Sequence, residues 1–284
     1  NDRQVKFEKY LTDAFSEKAV EFINESSQPF MMYLAYNAVH TPMQATDEDM
    51  AKFEGHPRQK LAAMTYALDR GVGTVIRGLK DSGKFDNTLI FFLSDNGGAT
   101  TNQSSNYPLK GFKGNKFEGG HRVPYFVVWK NGIPAGKPYD GLVSSLDIFA
   151  TAIDAASISK TRNRLDGVSL LPYLKGKKGE PHKVLYWRKM DTRAIRSGDY
   201  KLIITHGVDS VLYNIRRDPE EMNNLINKEP DLYRKLAKKL AKWEKNECIE
   251  PSWLEEGWRK ITNRYHQQLM HNEIKTAQDL YKKK

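Results

Sequence analysis

Apolar positions between Tyr10 and Ala156 follow two rhythms. Phe15, Ala19, Phe22 and Ile23 fall on one helical face, and Leu61, Met64, Leu68, Val72, Val75 and Leu79 make a longer stripe at three- and four-residue steps. Both are marks of amphipathic helices. Thr12 or Asp13 is placed to cap the first helix, and Gly83 to end the second. Between them lie short unbroken apolar runs at Phe30–Ala35, Thr88–Leu93 and Tyr125–Trp129, which read as buried strands. A further helix is predicted over Leu146–Ala156. Strand–helix alternation of this kind predicts an α/β fold, a mostly parallel sheet with helices on both faces.

Past Pro181 the rhythm changes. Val184–Trp187, Thr192–Ile195, Lys201–Ile204 and Val211–Tyr213 are short and turn-separated, which predicts a small antiparallel sheet. Leu232, Leu236, Leu240 and Trp243 place a helix over Pro230–Asn246 against that sheet. Residues 158–181, with glycine and lysine clustered at Lys175–Gly179, read as a connector. The expected organisation is an α/β part with its connector over residues 1–180 and a C-terminal α+β subdomain over 181–284.

Composition narrows the class. At 284 residues and 39% hydrophobic, the chain can bury a large core. No apolar stretch approaches a membrane span. The single cysteine, Cys248, excludes an internal disulfide framework. The net charge of +10 lies entirely beyond residue 150. It could draw in a polyanionic substrate. For Arg234, Lys235, Lys238, Lys239 and Lys242, however, interspersion with the apolar stripe favours a solvated helix face. Lys282, Lys283 and Lys284 read as a frayed end. No nucleic-acid partner is expected, and oligomeric state is open.

The chemistry concentrates between Ile90 and Trp129. Ser94-Asp95-Asn96-Gly97-Gly98 follows a strand, and Asp95 with Asn96 offers adjacent hard oxygen ligands suited to Ca²⁺ or Mg²⁺. Taken alone, the same string is an ordinary turn. Its place at a strand's carboxyl end favours a site. About fifteen residues on, Lys113 sits between Gly111 and Gly114, in a run continuing to Phe117-Glu118-Gly119-Gly120-His121-Arg122-Val123-Pro124. A compact cation where backbone approaches closely suits a tetrahedral oxyanion. Metal plus cation is what hydrolysis of a sulfate or phosphate ester needs. His40, just past the Phe30–Ala35 run and followed by Pro42, is a third candidate.

The order His40-Thr41-Pro42, then Ser94 to Gly98, then Lys110-Gly111 and Glu118 to Pro124 resembles the arylsulfatase family of the alkaline phosphatase superfamily. The likeness extends from Tyr10-Leu11-Thr12-Asp13 through Leu165-Asp166-Gly167, Arg196-Ser197-Gly198-Asp199 and Leu212-Tyr213-Asn214 to about Trp243. It implies that Asp95 and Asn96 are calcium ligands, that Lys113 contacts the sulfate and the leaving oxygen, and that His40 binds the sulfate and protonates the leaving group. It also implies a formylglycine nucleophile, made in a Cys/Ser-x-Pro-x-Arg motif. No such motif occurs here, and Cys248 lies in the wrong local sequence.

The expected function is therefore that of a sulfatase acting on a sulfated small molecule or glycan, with Ca²⁺ or Mg²⁺ as metal. Residues 1–284 are expected to be inactive alone, and the location implied is periplasmic or secreted. A phosphoric or phosphonic ester hydrolase and a non-enzymatic module for anionic glycans are the alternatives. His121, His182, Arg196 and His206 are candidates for substrate contact, each with a structural role as the blander reading.

Overall fold

The computed structural model describes residues 6, 8–158, 164–248 and 256–282, and the chain forms two compact units. The first comprises residues 1–90, 101–103 and 128–135, and the second residues 91–100, 104–127 and 136–284. The second unit thus runs across residue 180.

In the first unit, α1 (Leu11–Glu25) packs on α3 (Gln59–Asp81), with the short α2 (Asp47–Ala51) alongside. Thr12, Ser16, Ala19 and Ile23 are the buried stripe of α1, and Ala63, Met64, Ala67, Gly71, Gly78 and Leu79 that of α3. A Cβ on Gly71 would lie 2.6 Å from the Ser16 Oγ, and one on Gly78 2.8 Å from a Val20 methyl. Small residues therefore set how closely the two helices approach. The predicted stripe of α3 is right in period but centred to one side, since Leu68, Val72 and Val75 are only half-buried.

Two local expectations fail in this unit. Neither Thr12 nor Asp13 caps α1, whose N-cap is Tyr10 without a side-chain bond. Both lie inside the first turn, and Asp13 instead takes the Arg70 guanidinium at 3.0 and 3.1 Å. Arg70 also holds buried Asp49 at 2.6 and 2.9 Å. These two carboxylates raise the Arg70 pKa still further, and the same contact holds that of Asp49 low. Phe30–Ala35 is not a strand, because it has no ladder partner among the described residues. Its residues alternate instead: Met32, Leu34 and Tyr36 turn inward, while Met31 is 67% and Tyr33 90% exposed. The inner face is anchored by the Ser16–Tyr36 hydroxyl bond at 2.8 Å and by the edge-on Phe22–Phe30 pair. Gly83, at φ +71°, follows α3 as expected.

A 3₁₀ turn at Phe85–Asn87 leads to β1 (Ile90–Leu93), which pairs with β2 (Tyr125–Val128). The Ser94 N–H donates to the Pro124 carbonyl at 3.4 Å, so the end of β1 meets the start of β2 and the two strands run antiparallel, with the ring pairs Phe91–Tyr125 and Phe92–Phe126 across them. The short helix α4 (Glu118–His121) lies between these strands in sequence. After them come α5 (Asp147–Ala155) and, within the expected connector, α6 (Leu171–Leu174).

The C-terminal sheet is an antiparallel meander of β3 (Val184–Lys189), β4 (Thr192–Ser197), β5 (Tyr200–Thr205) and β6 (Asp209–Asn214). Ile195, Leu202 and Leu212 point to one face, where Leu236 and Leu240 of α7 (Pro230–Glu247) cover them. Ala194, Ile203, Val211 and Tyr213 point to the other. That face packs against Phe112 and Phe117 and against Leu269 and Met270 of α8 (Glu256–Met270), with the short α9 (Asp279–Lys282) beyond. The sequence reading supplied only the α7 cover. A sheet buried on both faces needs apolar residues at consecutive positions, as Ala194–Ile195, Leu202–Ile203 and Val211–Leu212–Tyr213 show. Arg234, Lys235, Lys238, Lys239 and Lys242 are all exposed on α7, which bears out the solvated-face reading. Of the terminal lysines, Lys282 closes α9 on Asp279, and the other two lie outside the described residues.

Candidate functional site

Three glycine-bearing turns interlock in the second unit. The Gly97 N–H donates to the Gly120 carbonyl (3.1 Å), the Lys113 N–H to the Gly98 carbonyl (3.0 Å), and the Gly119 N–H to the Lys110 carbonyl (2.7 Å). Backbone lies directly on backbone, since a Cβ on Gly97 would fall 1.8 Å from the Gly119 oxygen. Glycine is required there by contact, not by an unusual dihedral. The consequence is that the Asp95-Asn96 turn and the Lys113 loop, eighteen residues apart in sequence, are held side by side.

Asn106 completes the clasp. Its Oδ1 accepts from the Gly98 N–H (2.7 Å), and its Nδ2 donates to the Gly98 and Gly111 carbonyls (3.2 and 3.1 Å). One amide thus ties the Asp95-Asn96 turn to the Lys113 loop. Asn106 sits in a polar stretch with no periodic or motif signal, so nothing local in the sequence marks it.

Asp95 is exposed at the tip of its turn. Asn96 donates through Nδ2 to the Gly97 carbonyl (3.0 Å), which leaves Oδ1 as its acceptor atom. A carboxylate beside an amide oxygen is the donor chemistry a hard cation takes, but two ligands fall well short of the six to eight Ca²⁺ prefers. No cluster of three His, Cys, Asp or Glu able to hold a metal exists among the described residues. The pair therefore fits part of a metal site.

His40 belongs to the first unit, on an exposed turn, and lines a cavity of about 240 Å³ with Tyr10, Thr12, Asn37, Pro42 and Gln44. Its Nδ1 donates to the Thr41 carbonyl (2.7 Å), which orients the ring. The Asn102 amide bonds the Val39 carbonyl at 3.0 Å and steadies the turn from the other side. Asp95, Asn96 and Lys113 are brought together within the second unit.

Glu118, in the Glu-Gly-Gly run, is structural. It is buried and paired with Lys201 (2.8 Å), with Arg122 and Arg196 at 3.6 and 3.9 Å. Burial pushes its carboxyl up, but Lys201, His121 and Arg196 together outweigh this and hold it at about 2. Glu221 lies 3.0 Å from the same ammonium and accepts the Glu118 N–H at 2.6 Å. Complete burial drives Glu221 up to about 7, with Lys201 only partly opposing. One lysine thus serves two carboxyls, and Glu221 is the one that keeps its proton more readily.

The suggested substrate contacts also resolve. His182 is locked on buried Asp147 at 2.7 and 3.0 Å, while Asp147 also accepts the Ser144 and Val168 N–H groups. Arg196 donates to the Gly198 carbonyl (2.7 Å) beside Glu118. His206 is an exposed turn residue. His121 stacks on Trp187 at 4.5 Å and bonds the Lys116 carbonyl at 3.2 Å. Burial and neighbouring Lys201 hold its pKa at about 3, so it is neutral.

Other cations around this loop differ in how they are compensated. Lys110 is fully buried and donates to the Glu221 carbonyl (3.0 Å) and Asn272 (2.6 Å). Burial lowers its pKa to about 8, against the pull of Glu221. Lys116 is also lowered to about 8, by burial and then by Lys189 and Lys201. Lys189 is lowered by burial and then by Lys113.

Residues 1–158 match the family described as Sulfatase, and residues 113–246 that described as N-sulphoglucosamine sulphohydrolase, C-terminal. The uncharacterized sulfatase YdeN of Escherichia coli (strain K12) is 40% identical over 197 residues, 66% of this chain and 35% of that protein. The N-acetylgalactosamine-6-sulfatase of Canis lupus familiaris is 32% identical over 199 residues, 67% of this chain and 38% of that protein. The crystal structure of Ps i-CgsB in complex with k-i-k-neocarrahexaose superposes with a TM-score of 0.83 at 36% identity, covering 93% of this chain and 61% of that one. The chain thus spans little more than a third of the length of these curated relatives.

Proposed function

Because the chain belongs to the sulfatase family of the alkaline phosphatase superfamily, we propose that its residues serve a sulfuric ester hydrolase acting on an aryl or carbohydrate sulfate. The observation that supports this most directly is the clasp of Gly97, Gly98 and Asn106, which fixes the Lys113 loop beside the Asp95-Asn96 turn.

In this reading the Lys113 ammonium donates to an ester oxygen and stabilises charge that grows there as the sulfur–oxygen bond breaks. His40 binds the sulfate and, protonated at Nε2, gives a proton to the leaving oxygen. Its Nδ1 bond to the Thr41 carbonyl limits rotation of the ring. Asp95 and Asn96 would contribute two oxygens to a Ca²⁺ or Mg²⁺ ion, which when bound would screen the sulfate's negative charge. The nucleophile, a formylglycine in sulfatases, has no precursor motif in this sequence. Residues 1–284 alone are therefore expected not to turn over, and the setting expected for the enzyme is periplasmic or secreted.

The test is release of an aryl alcohol from its sulfate ester by the complete protein, by Lys113→Ala and His40→Ala in that protein, and by residues 1–284 alone. Each substitution should lower turnover about 100-fold or more while the circular dichroism stays unchanged. Wild-type turnover in either variant, or activity in the isolated residues, would refute the assigned roles.

A further inference from the structure

Interior cations of the second unit almost all have a counter-charge or a carbonyl to bind. Lys201 has two carboxylates, Lys110 a carbonyl and an amide oxygen, and Arg193 the Glu244 carboxylate at 2.5 Å. Lys116 and Lys189 break that pattern. Among the described residues neither has a carboxylate or a hydrogen-bond acceptor, yet both are half-buried. Their charged neighbours are mainly other lysines. An uncompensated ammonium in such a place costs free energy that folding does not return.

The placement is specific. Lys189 ends β3 on the sheet face that carries Trp187, and its Nζ lies 2.9 Å from where a Cβ on Gly114 would stand. Gly114 directly follows Lys113 and has φ +96°, so the lysine loop bends there under the ammonium. Lys116 is two residues further along the same loop, its carbonyl held by His121, which in turn stacks on Trp187. On the other side, buried His266 interacts with both lysines and leaves its Nε2 without a partner, while its Nδ1 donates to the Thr262 carbonyl at 2.8 Å. The two cations are thus seated by a stacked ring pair, a fixed loop and a sheet edge, and are not freely moving surface chains.

We propose that Lys116 and Lys189 form a second oxyanion subsite beside Lys113, which takes a sulfate or carboxylate group of the substrate other than the one hydrolysed. The inference rests on the sulfate-ester reading above and narrows it to polyanionic substrates. An oxyanion there supplies the counter-charge that the fold leaves out, and each ammonium offers it charge-assisted hydrogen bonds.

Three substrates of the complete protein test it: an aryl monosulfate, a disulfated disaccharide, and a monosulfated disaccharide with one carboxylate. Lys189→Met and Lys116→Met should each lower the ratio of kcat/KM for the dianionic sugars over that for the aryl monosulfate about tenfold, mainly through KM. A larger fall for one sugar identifies sulfate or carboxylate as the preferred group. An unchanged ratio in both variants overturns the subsite, even if overall activity drops. If the wild-type protein hydrolyses none of the three, the sulfatase reading fails separately. Calorimetry with the disulfated disaccharide then decides the subsite: binding weakened about tenfold in Lys189→Met upholds it, and equal or absent binding in both proteins overturns it.

Discussion

Replacing Asn106 with alanine isolates what the clasp contributes. The substitution removes three hydrogen bonds, at 2.7, 3.1 and 3.2 Å, and leaves the Gly98 N–H and the Gly111 carbonyl without those partners. The Gly98 carbonyl keeps the Lys113 N–H at 3.0 Å. A neutral hydrogen bond contributes about 1 kcal/mol net, so three would set a ceiling of about 3 kcal/mol. Asn106 is only half-buried and water replaces part of the loss, so about 2 kcal/mol is expected. Asn106→Asp is the sharper probe. Its carboxylate can still accept from Gly98 N–H but cannot donate, and it sets a second oxygen against the Gly98 and Gly111 carbonyls. It should cost at least as much as alanine. Urea unfolding of the complete protein measures both, and turnover of an aryl sulfate should fall about 100-fold in each, as expected for a displacement of Lys113 by about 1 Å. An Asn106→Asp protein as stable and active as wild type would show that the donated bonds do not position the loop.

Two further outcomes follow from the buried charges. Lys201→Met leaves Glu118 and Glu221 facing each other without their shared cation and should destabilise by about 3–5 kcal/mol in urea, while Lys201→Met with Glu221→Gln should recover part of that; independent, additive effects would contradict the coupling. Stability should also fall as pH drops from about 6.5 to 5: His121 and His266, held neutral at about 3 and 4, each take up a proton only on unfolding, which outweighs the single proton that Glu221, raised to about 7, releases. A urea midpoint that is flat or higher at pH 5 would refute that sign.

The sequence by itself determined most of the local structure. Period alone located α1, α3, α5 and α7 and the four strands of the meander, because an amphipathic stripe or a short β-rich run between turns has few other ways to bury itself. It also singled out Asp95, Asn96 and Lys113, since their chemistry travels with short glycine-rich strings. Tertiary structure decided the rest. Phe30–Ala35 is as apolar as a buried strand, yet strand pairing depends on a neighbour that no property of the run itself encodes. Whether the meander was covered on one face or two depended on where Phe112, Phe117 and α8 came to lie. Glu118, one residue of the motif run, is the partner of Lys201, eighty-three residues away. Asn106, Lys116 and Lys189 carry no signal at all along the chain. Their roles exist only because backbone contact at Gly97 and Gly98, and the Lys189 side chain against Gly114, bring distant turns within hydrogen-bonding or electrostatic reach, and that proximity is a property of the fold rather than of any local pattern.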